Sequence, residues 1–290
     1  MCDENFEHDL DNYSRIPPLT RRQLGAVSLG AGMTFLLPRA ADAQAVKEQD
    51  VTIKTPDGEC DAYFVHPASG ASAAVIVWPD ILGLRPAFRQ MGKRLAESGY
   101  AVLTVNPFYR MKKAPVVPAG ASFADQATRD IVMPLAKGLS PTTHVTDARA
   151  FVAWLDGQAA VDKRRKIGTT GYCMGGPIVM RTAAAVPDRI GAGASFHGGG
   201  LVTKEPDSPH LQVSTMKAHF LFAVAENDDQ RDPTAKDVLK ETYAKAKLPA
   251  EIEVYAAAHG WCPPDSAVYD QKLAERAWSR LLVLFKTALA

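Results

Sequence analysis

The chain has 290 residues, 47% of them hydrophobic and 22% charged, with 33 basic side chains against 32 acidic ones. That length is enough for one large α/β domain with a substantial core. The net charge of +1 gives no electrostatic case for a nucleic-acid or acidic partner.

The amino-terminal stretch stands apart. Thr20-Arg21-Arg22-Gln23-Leu24 precedes a weakly apolar run over 25–38, then Arg39 and the small-residue stretch Ala40-Ala41-Asp42-Ala43-Gln44-Ala45. A basic pair, a modest apolar region and an A-x-A site together define an export signal. The paired arginines point to the twin-arginine export machinery. Residues 1–45 are therefore expected to be a leader cleaved after Ala45, with Ala43 as the alternative. Residues 46–290 are expected to be the domain, delivered to the periplasm or secreted. The apolar run is too short and too glycine-rich for a stable membrane anchor.

Strand-like segments then recur over 51–55, 60–66, 73–78, 101–105, 166–171, 190–196, 220–225 and 251–256. The first two, joined through Pro56-Asp57-Gly58, read as an antiparallel hairpin. The later ones are mostly continuous apolar runs, as parallel strands covered on both faces require. Helical patterns over 88–98, 143–158, 177–186, 234–246 and 265–289 separate them. This alternation predicts an α/β fold: a doubly wound, mostly parallel sheet of about eight strands with helices on both faces. The segment 106–140 is irregular and rich in proline, glycine and basic residues, which suits a loop or helical cap over an active site. The basic run Lys163-Arg164-Arg165-Lys166 reads as a solvated helix end.

One motif carries the chemistry. Gly171-Tyr172-Cys173-Met174-Gly175 lies between a buried strand and a helix. It matches the G-x-S-x-G nucleophile elbow of α/β-hydrolases with sulfur in place of the hydroxyl. The apical residue sits in a strained backbone conformation, and the flanking glycines let strand and helix pass closely. The alternative, a phosphate-binding turn around an inert cysteine, lacks the G-K-[ST] that a P-loop needs.

A thiol nucleophile needs a base, and the base needs an orienting group. His259 follows the last strand and precedes Gly260, the position of the histidine in this fold. His197 ends the preceding strand pattern but comes before any acid in a post-strand loop, so it is expected in the pocket wall. His66 and His219 lie at unsuitable strand positions, and His144 and His210 read as loop or cap residues. The acid must come from Glu226-Asn227-Asp228-Asp229. Asp228 is the first choice and Asp229 the alternative, with the other of the two capping the helix that starts near Pro233. The loop Pro79-Asp80-Ile81-Leu82-Gly83 follows the third strand. There the Ile81 amide, paired with that of Met174, would stabilise an oxyanion, and Asp80 is expected to face the thiol.

No cofactor is implied. His/Cys/carboxylate spacing of the kind zinc needs is absent, and His259 with Cys262 supplies too few ligands. Of the other cysteines, Cys2 is in the leader, and a Cys60–Cys262 disulfide is left open by sequence alone. Export would bring Cys173 into an oxidising compartment. A thiol beside it, for which Cys262 is the local candidate, would instead suit a redox role.

Taken in order, Asp80-Ile81-Leu82-Gly83, the Cys173 elbow, Ala225-Glu226-Asn227-Asp228 and His259-Gly260 make the chain resemble the dienelactone hydrolase (carboxymethylenebutenolidase) family over about residues 50–288. The resemblance implies an α/β-hydrolase fold without metal or organic cofactor. It implies a small ester or lactone substrate and a Cys173–His259–Asp228 triad acting through a thioester. A general carboxylesterase differs from this only in its pocket. The family has a glutamate, thought to hold the resting thiol, where this chain has the shorter Asp80. Family members bind a substrate carboxylate through arginines, for which Arg85, Arg110 and Arg129 are candidates. The arginine expected near the histidine is missing, since His259 is followed by Gly260, Trp261 and Cys262. The leader is a second departure from a family that acts in the cytoplasm.

Overall fold

In the computed structural model the described residues are 37–38 and 43–290, so most of the expected leader lies outside them. Strands β1 (Val46–Thr55) and β2 (Gly58–Pro67) form the expected hairpin, followed by β3 (Ala74–Trp78) and β4 (Ala101–Val105). Then come β5 (Ile167–Tyr172), β6 (Ile190–Phe196), β7 (His219–Ala225) and β8 (Ala250–Tyr255). Strand β1 begins five residues before its apolar pattern does. Its first half is the exposed sequence Lys47-Glu48-Gln49-Asp50, which pairs with β2 through to Val46↔Pro67. A charged outer strand discourages pairing with other chains, and that polarity hides it from a hydrophobic pattern.

The eight strands make one sheet in the order β1-β2-β4-β3-β5-β6-β7-β8. Strands β1, β2 and β4 pair antiparallel, and every pairing from β4 through β3 to β8 is parallel. Side chains alternate along β3 between the two faces. Ala74, Ile76 and Trp78 join one apolar cluster, while Val75 and Val77 join the other. Helices α1 (Pro86–Glu97) and α7 (Gln271–Ala288) cover the second face, with Phe88, Leu95, Leu281 and Phe285 buried there. Helices α3 (Pro141–Asp156), α4 (Gly175–Ala185) and α6 (Ala235–Ala246) cover the first, through Phe151, Leu155, Ile178, Val179, Leu239 and Tyr243. This is the doubly wound α/β architecture of the α/β-hydrolases.

Local chemistry sets the helix ends. Ser140 and Thr143 form a reciprocal capping box on α3, with Thr143 N donating to Ser140 Oγ at 3.2 Å and Ser140 N donating to Thr143 Oγ1 at 2.9 Å. Asp270 accepts from Leu273 N at 2.9 Å and caps α7. The irregular segment contains a helix that its composition concealed, α2 (Gln126–Lys137). Its Val132 and Leu135 pack with Phe108, Val116, Val117, Phe123 and Ile81 in a third apolar cluster that Met174 joins. A cap thus lies against both residues expected to supply the oxyanion amides.

Two readings are corrected here. The basic run 163–166 forms a turn ahead of β5 rather than a helix end, with Arg164 bonded to Asp162. His144 is buried within α3 rather than in a loop.

Strand order also places the site. The chain runs from β3 to β4 on one side and returns to β5 on the other, so the loops after β3 and β5 diverge. A crevice opens at the carboxyl ends of strands at such a switch point.

Candidate active site

The elbow is built by close approach. Tyr172 ends β5, Cys173 has φ 52°, and α4 starts at Gly175. A Cβ on Gly175 would lie 2.5 Å from the Trp78 carbonyl oxygen and 3.0 Å from that of Pro79. A Cβ on Gly171 would collide with the Gly175 carbonyl. Only glycine lets the start of α4 rest on the end of β3 and bring the Met174 and Ile81 loops together. Neither the Ile81 nor the Met174 amide donates a hydrogen bond to another group among the described residues.

His259 is held on two sides. Its backbone amide donates to Asn227 Oδ1 at 2.8 Å, and its Nδ1 lies 2.7 Å from Asp228 Oδ2. Both side chains are nearly inaccessible, at 4% for His259 and 8% for Asp228. The other oxygen of Asp228 accepts from Arg231 at 3.1 Å. Burial alone pushes the His259 pKa down. The Asp228 carboxylate, followed by the charge and hydrogen bond of Cys173, reverses this and raises it well above 6.5. The imidazole therefore has a carboxylate on one side and the elbow sulfur within interacting distance on the other.

The acid does not sit in an open loop. Residues 226–231 form a short helix, α5 (Glu226–Arg231), which turns Asp228 inward. Asp229 faces away and pairs with Lys236 at 2.6 Å. It does not cap α6, whose first residue follows Thr234 with no side-chain cap.

Asp80 lies in the β3 loop, where its carboxylate shapes the turn. Its Oδ1 accepts from Leu82 N at 2.9 Å, and its carbonyl accepts from Gly83 N at 2.9 Å. Arg85 donates to both carboxylate oxygens, at 2.6 and 2.9 Å, and also grips Asp265 at 2.6 and 2.9 Å. Among the described residues, the hydrogen bonds of the Asp80 carboxylate go to Leu82 and Arg85. The other two arginines considered for a substrate carboxylate are also engaged. Arg110 binds Asp57 and Asp147, and Arg129 binds the Phe123 and Ala124 carbonyls and Gln126.

Cys60 and Cys262 are free thiols in different apolar clusters, so the disulfide left open by the sequence does not form. Cys262 is buried and its thiol is pushed well above 9.0 by that burial, which leaves it unreactive. Among the described residues, no group of three or more potential ligands can hold a metal ion. Sequence reasoning put His197 in the pocket wall but did not foresee that it meets the candidate base. Its ring lies 5.0 Å from that of His259, centroid to centroid.

Sheet order, elbow and histidine–carboxylate pair define an α/β-hydrolase. A family model described as the dienelactone hydrolase family matches residues 60–289, and the chain belongs to that family. It is a dienelactone hydrolase-type hydrolase. A carboxymethylenebutenolidase homologue from Methylorubrum extorquens is 27% identical over 294 residues, 97% of each chain. The carboxymethylenebutenolidase of Rhodococcus opacus is 26% identical, covering 78% of this chain and 86% of its own. Among solved structures, a dienelactone hydrolase-like promiscuous phosphotriesterase from metagenomic libraries aligns with TM-score 0.70 at 20% identity, over 85% of this chain and 100% of its own. The dienelactone hydrolase of Anabaena variabilis aligns with TM-score 0.60 at 17% identity, over 84% and 99%. The two structures show the shared fold.

Proposed function

We propose that this hydrolase cleaves a small ester or lactone, of the kind carboxymethylenebutenolidases act on, by acyl transfer through Cys173. The observation that carries the reading is the buried Asp228–His259 pair, bonded at 2.7 Å, with the Cys173 sulfur acting on the same imidazole. His259 holds the thiol proton, and the thiolate attacks the carbonyl carbon. The Ile81 and Met174 amides receive the oxyanion; loss of one such donor typically costs about 3 kcal/mol. His259 then protonates the leaving alkoxide, and Asp228 keeps the ring oriented throughout. Water opens the thioester with His259 as base. Asp80 contributes by fixing the turn that carries Ile81.

Cys173→Ala tests this directly. The variant should lose turnover of aryl esters and lactones while keeping the wild-type melting temperature, because the side chain is partly exposed rather than core. Wild-type protein quenched early should carry an acyl group on Cys173 by mass spectrometry. Turnover retained in the alanine variant would sink the nucleophile assignment.

For the precursor we infer export through the twin-arginine route to the periplasm or beyond, on the strength of Arg21-Arg22 and the alanine-rich stretch. Gln44 N donates to Glu97 O at 2.9 Å and Ala45 O accepts from Ala68 N at 2.8 Å. Cleavage after Ala43 keeps both bonds. Amino-terminal sequencing of exported protein is expected to begin at Gln44, and a start at Val46 would contradict that choice.

A further inference from the structure

Cys173 and His197 are neighbours in the sheet. Tyr172 and Phe196 are register partners, and the Cys173 amide donates to the Phe196 carbonyl at 3.0 Å. The His197 amide donates in turn to Ala223 O at 2.8 Å. Both residues then leave their strands in the left-handed region, with φ 52° and 41°. Among the described residues the one other non-glycine case is Lys247, which simply ends α6. A bulky residue in that region costs roughly 1–3 kcal/mol and persists where the surroundings demand it. At Cys173 the demand is the elbow.

At His197 the same turn carries an imidazole into the active site. Its ring meets Tyr172 at 6.0 Å, His259 at 5.0 Å and Trp261 at 5.1 Å. The residue is 1% exposed, and neither ring nitrogen has a hydrogen-bond partner among the described residues. A buried polar atom left without a partner costs about 1–3 kcal/mol. Phenylalanine would fill this aromatic surrounding without that cost. Burial, and then the positive charge of His259, holds the His197 pKa well below 6.5. The ring is therefore neutral, with one nitrogen able to accept a hydrogen bond.

We propose that His197 binds the water that hydrolyses the Cys173 thioester, accepting a hydrogen bond from one of its O–H groups while His259 takes the other proton. This rests on the thioester reading above. The step balances. The water oxygen bonds to the acyl carbon, one water proton passes to neutral His259, and the carbon–sulfur bond breaks with its electron pair returning to sulfur. The products are a carboxylic acid, which loses its proton to solvent, and the restored thiolate–imidazolium pair. His197 acts before the water attacks, by holding it beside both rings, and neither gains nor loses a proton. It has no part in acylation.

The test separates the two half-reactions. The full chain, wild type and His197→Phe, is mixed rapidly with p-nitrophenyl acetate, and nitrophenol release is followed with intact-mass spectrometry. Phenylalanine keeps the ring packing and removes the nitrogens. The expected result is a burst rate within about threefold of wild type and a steady-state rate lowered about tenfold or more, with acetyl-Cys173 accumulating. His197→Gln, which restores a polar atom without the ring, should deacylate faster than His197→Phe. Melting temperatures of both variants report folding separately. Equal slowing of burst and steady state, or no accumulation of the adduct in either folded variant, would overturn the proposal and leave His197 a packing residue. Wild type with neither burst nor adduct, alongside an active Cys173→Ala variant, would overturn the nucleophile reading and the proposal with it.

Discussion

Replacing Asp228 with asparagine removes one charge from the site and almost no volume. In the wild type its Oδ2 lies 2.7 Å from His259 Nδ1, with both side chains at most 8% exposed, so the bond is charge-assisted and shielded from water. An asparagine presents either its carbonyl or its NH₂ to Nδ1, and the second choice imposes the wrong imidazole tautomer. Removal of the carboxylate charge from a catalytic triad costs on the order of 10⁴ in kcat, or about 5 kcal/mol of barrier. The same charge is the largest contribution that lifts the His259 pKa against its burial. In the variant Cys173 alone opposes burial, so the imidazole loses its proton at lower pH than in the wild type.

The pH dependence of stability has a definite sign. A histidine whose folded pKa is raised above 6.5 contributes stability that is fully present below 6.5 and is lost as pH rises through the folded value. The wild-type advantage in Tm over Asp228→Asn should therefore be widest at about pH 6 and shrink at alkaline pH. The control is Asp229→Asn. Asp229 pairs with Lys236 and is about one-fifth exposed, so its loss should cost less than about 1 kcal/mol of stability and leave kcat/KM within a factor of two. The assay is kcat/KM for an aryl ester across pH, with thermal melts in the same buffers. Equal losses from the two substitutions, or more than a tenth of wild-type activity in Asp228→Asn, would refute the argument.

Other substitutions probe the scaffold. Gly175→Ala puts a methyl group 2.5 Å from the Trp78 carbonyl, and strain of about 1–3 kcal/mol should appear as a lower urea midpoint together with reduced kcat. An unchanged midpoint would mean that the approach of β3 to α4 is not tight. Arg85→Met leaves Asp80 and Asp265 without their shared cation, and breaking such a buried pair should cost about 3–5 kcal/mol in chemical denaturation. Because Asp80 also bonds the Leu82 amide in the turn that carries Ile81, kcat should fall more than KM rises. A loss of stability with kinetics intact would separate Asp80 from the oxyanion loop.

How much of this was legible beforehand depended on the range over which each feature is determined. Apolar runs and their punctuation are local, so the eight strands and the main helices could be read directly. The elbow was legible through its motif, although its two glycines answer demands of different range: Gly171 meets the Gly175 carbonyl within the motif, whereas Gly175 meets the Trp78 and Pro79 carbonyls at the end of β3. The polar half of β1, held by its pairing with β2, has no apolar signature and was missed, while for the proline-rich segment the sequence left loop and helical cap open and did not delimit α2.

The site divides in the same way. Motif and chain order single out Cys173 and His259 as candidates, and the fold brings them within interacting distance. The choice between Asp228 and Asp229 required the short helix α5, which turns one carboxylate inward to His259 and the other outward to Lys236. The clamp of Arg85 on Asp265 joins residues 180 positions apart. Such a partner has no local mark, because sequence spacing carries no information about which loops a sheet brings together. His197 left a trace, a histidine ending the strand pattern beside that of the elbow. Its contact with His259 arises because parallel register places β6 next to β5 and a left-handed turn swings the ring across. Side chains set the local pattern, but sheet order and backbone handedness determine which of them meet.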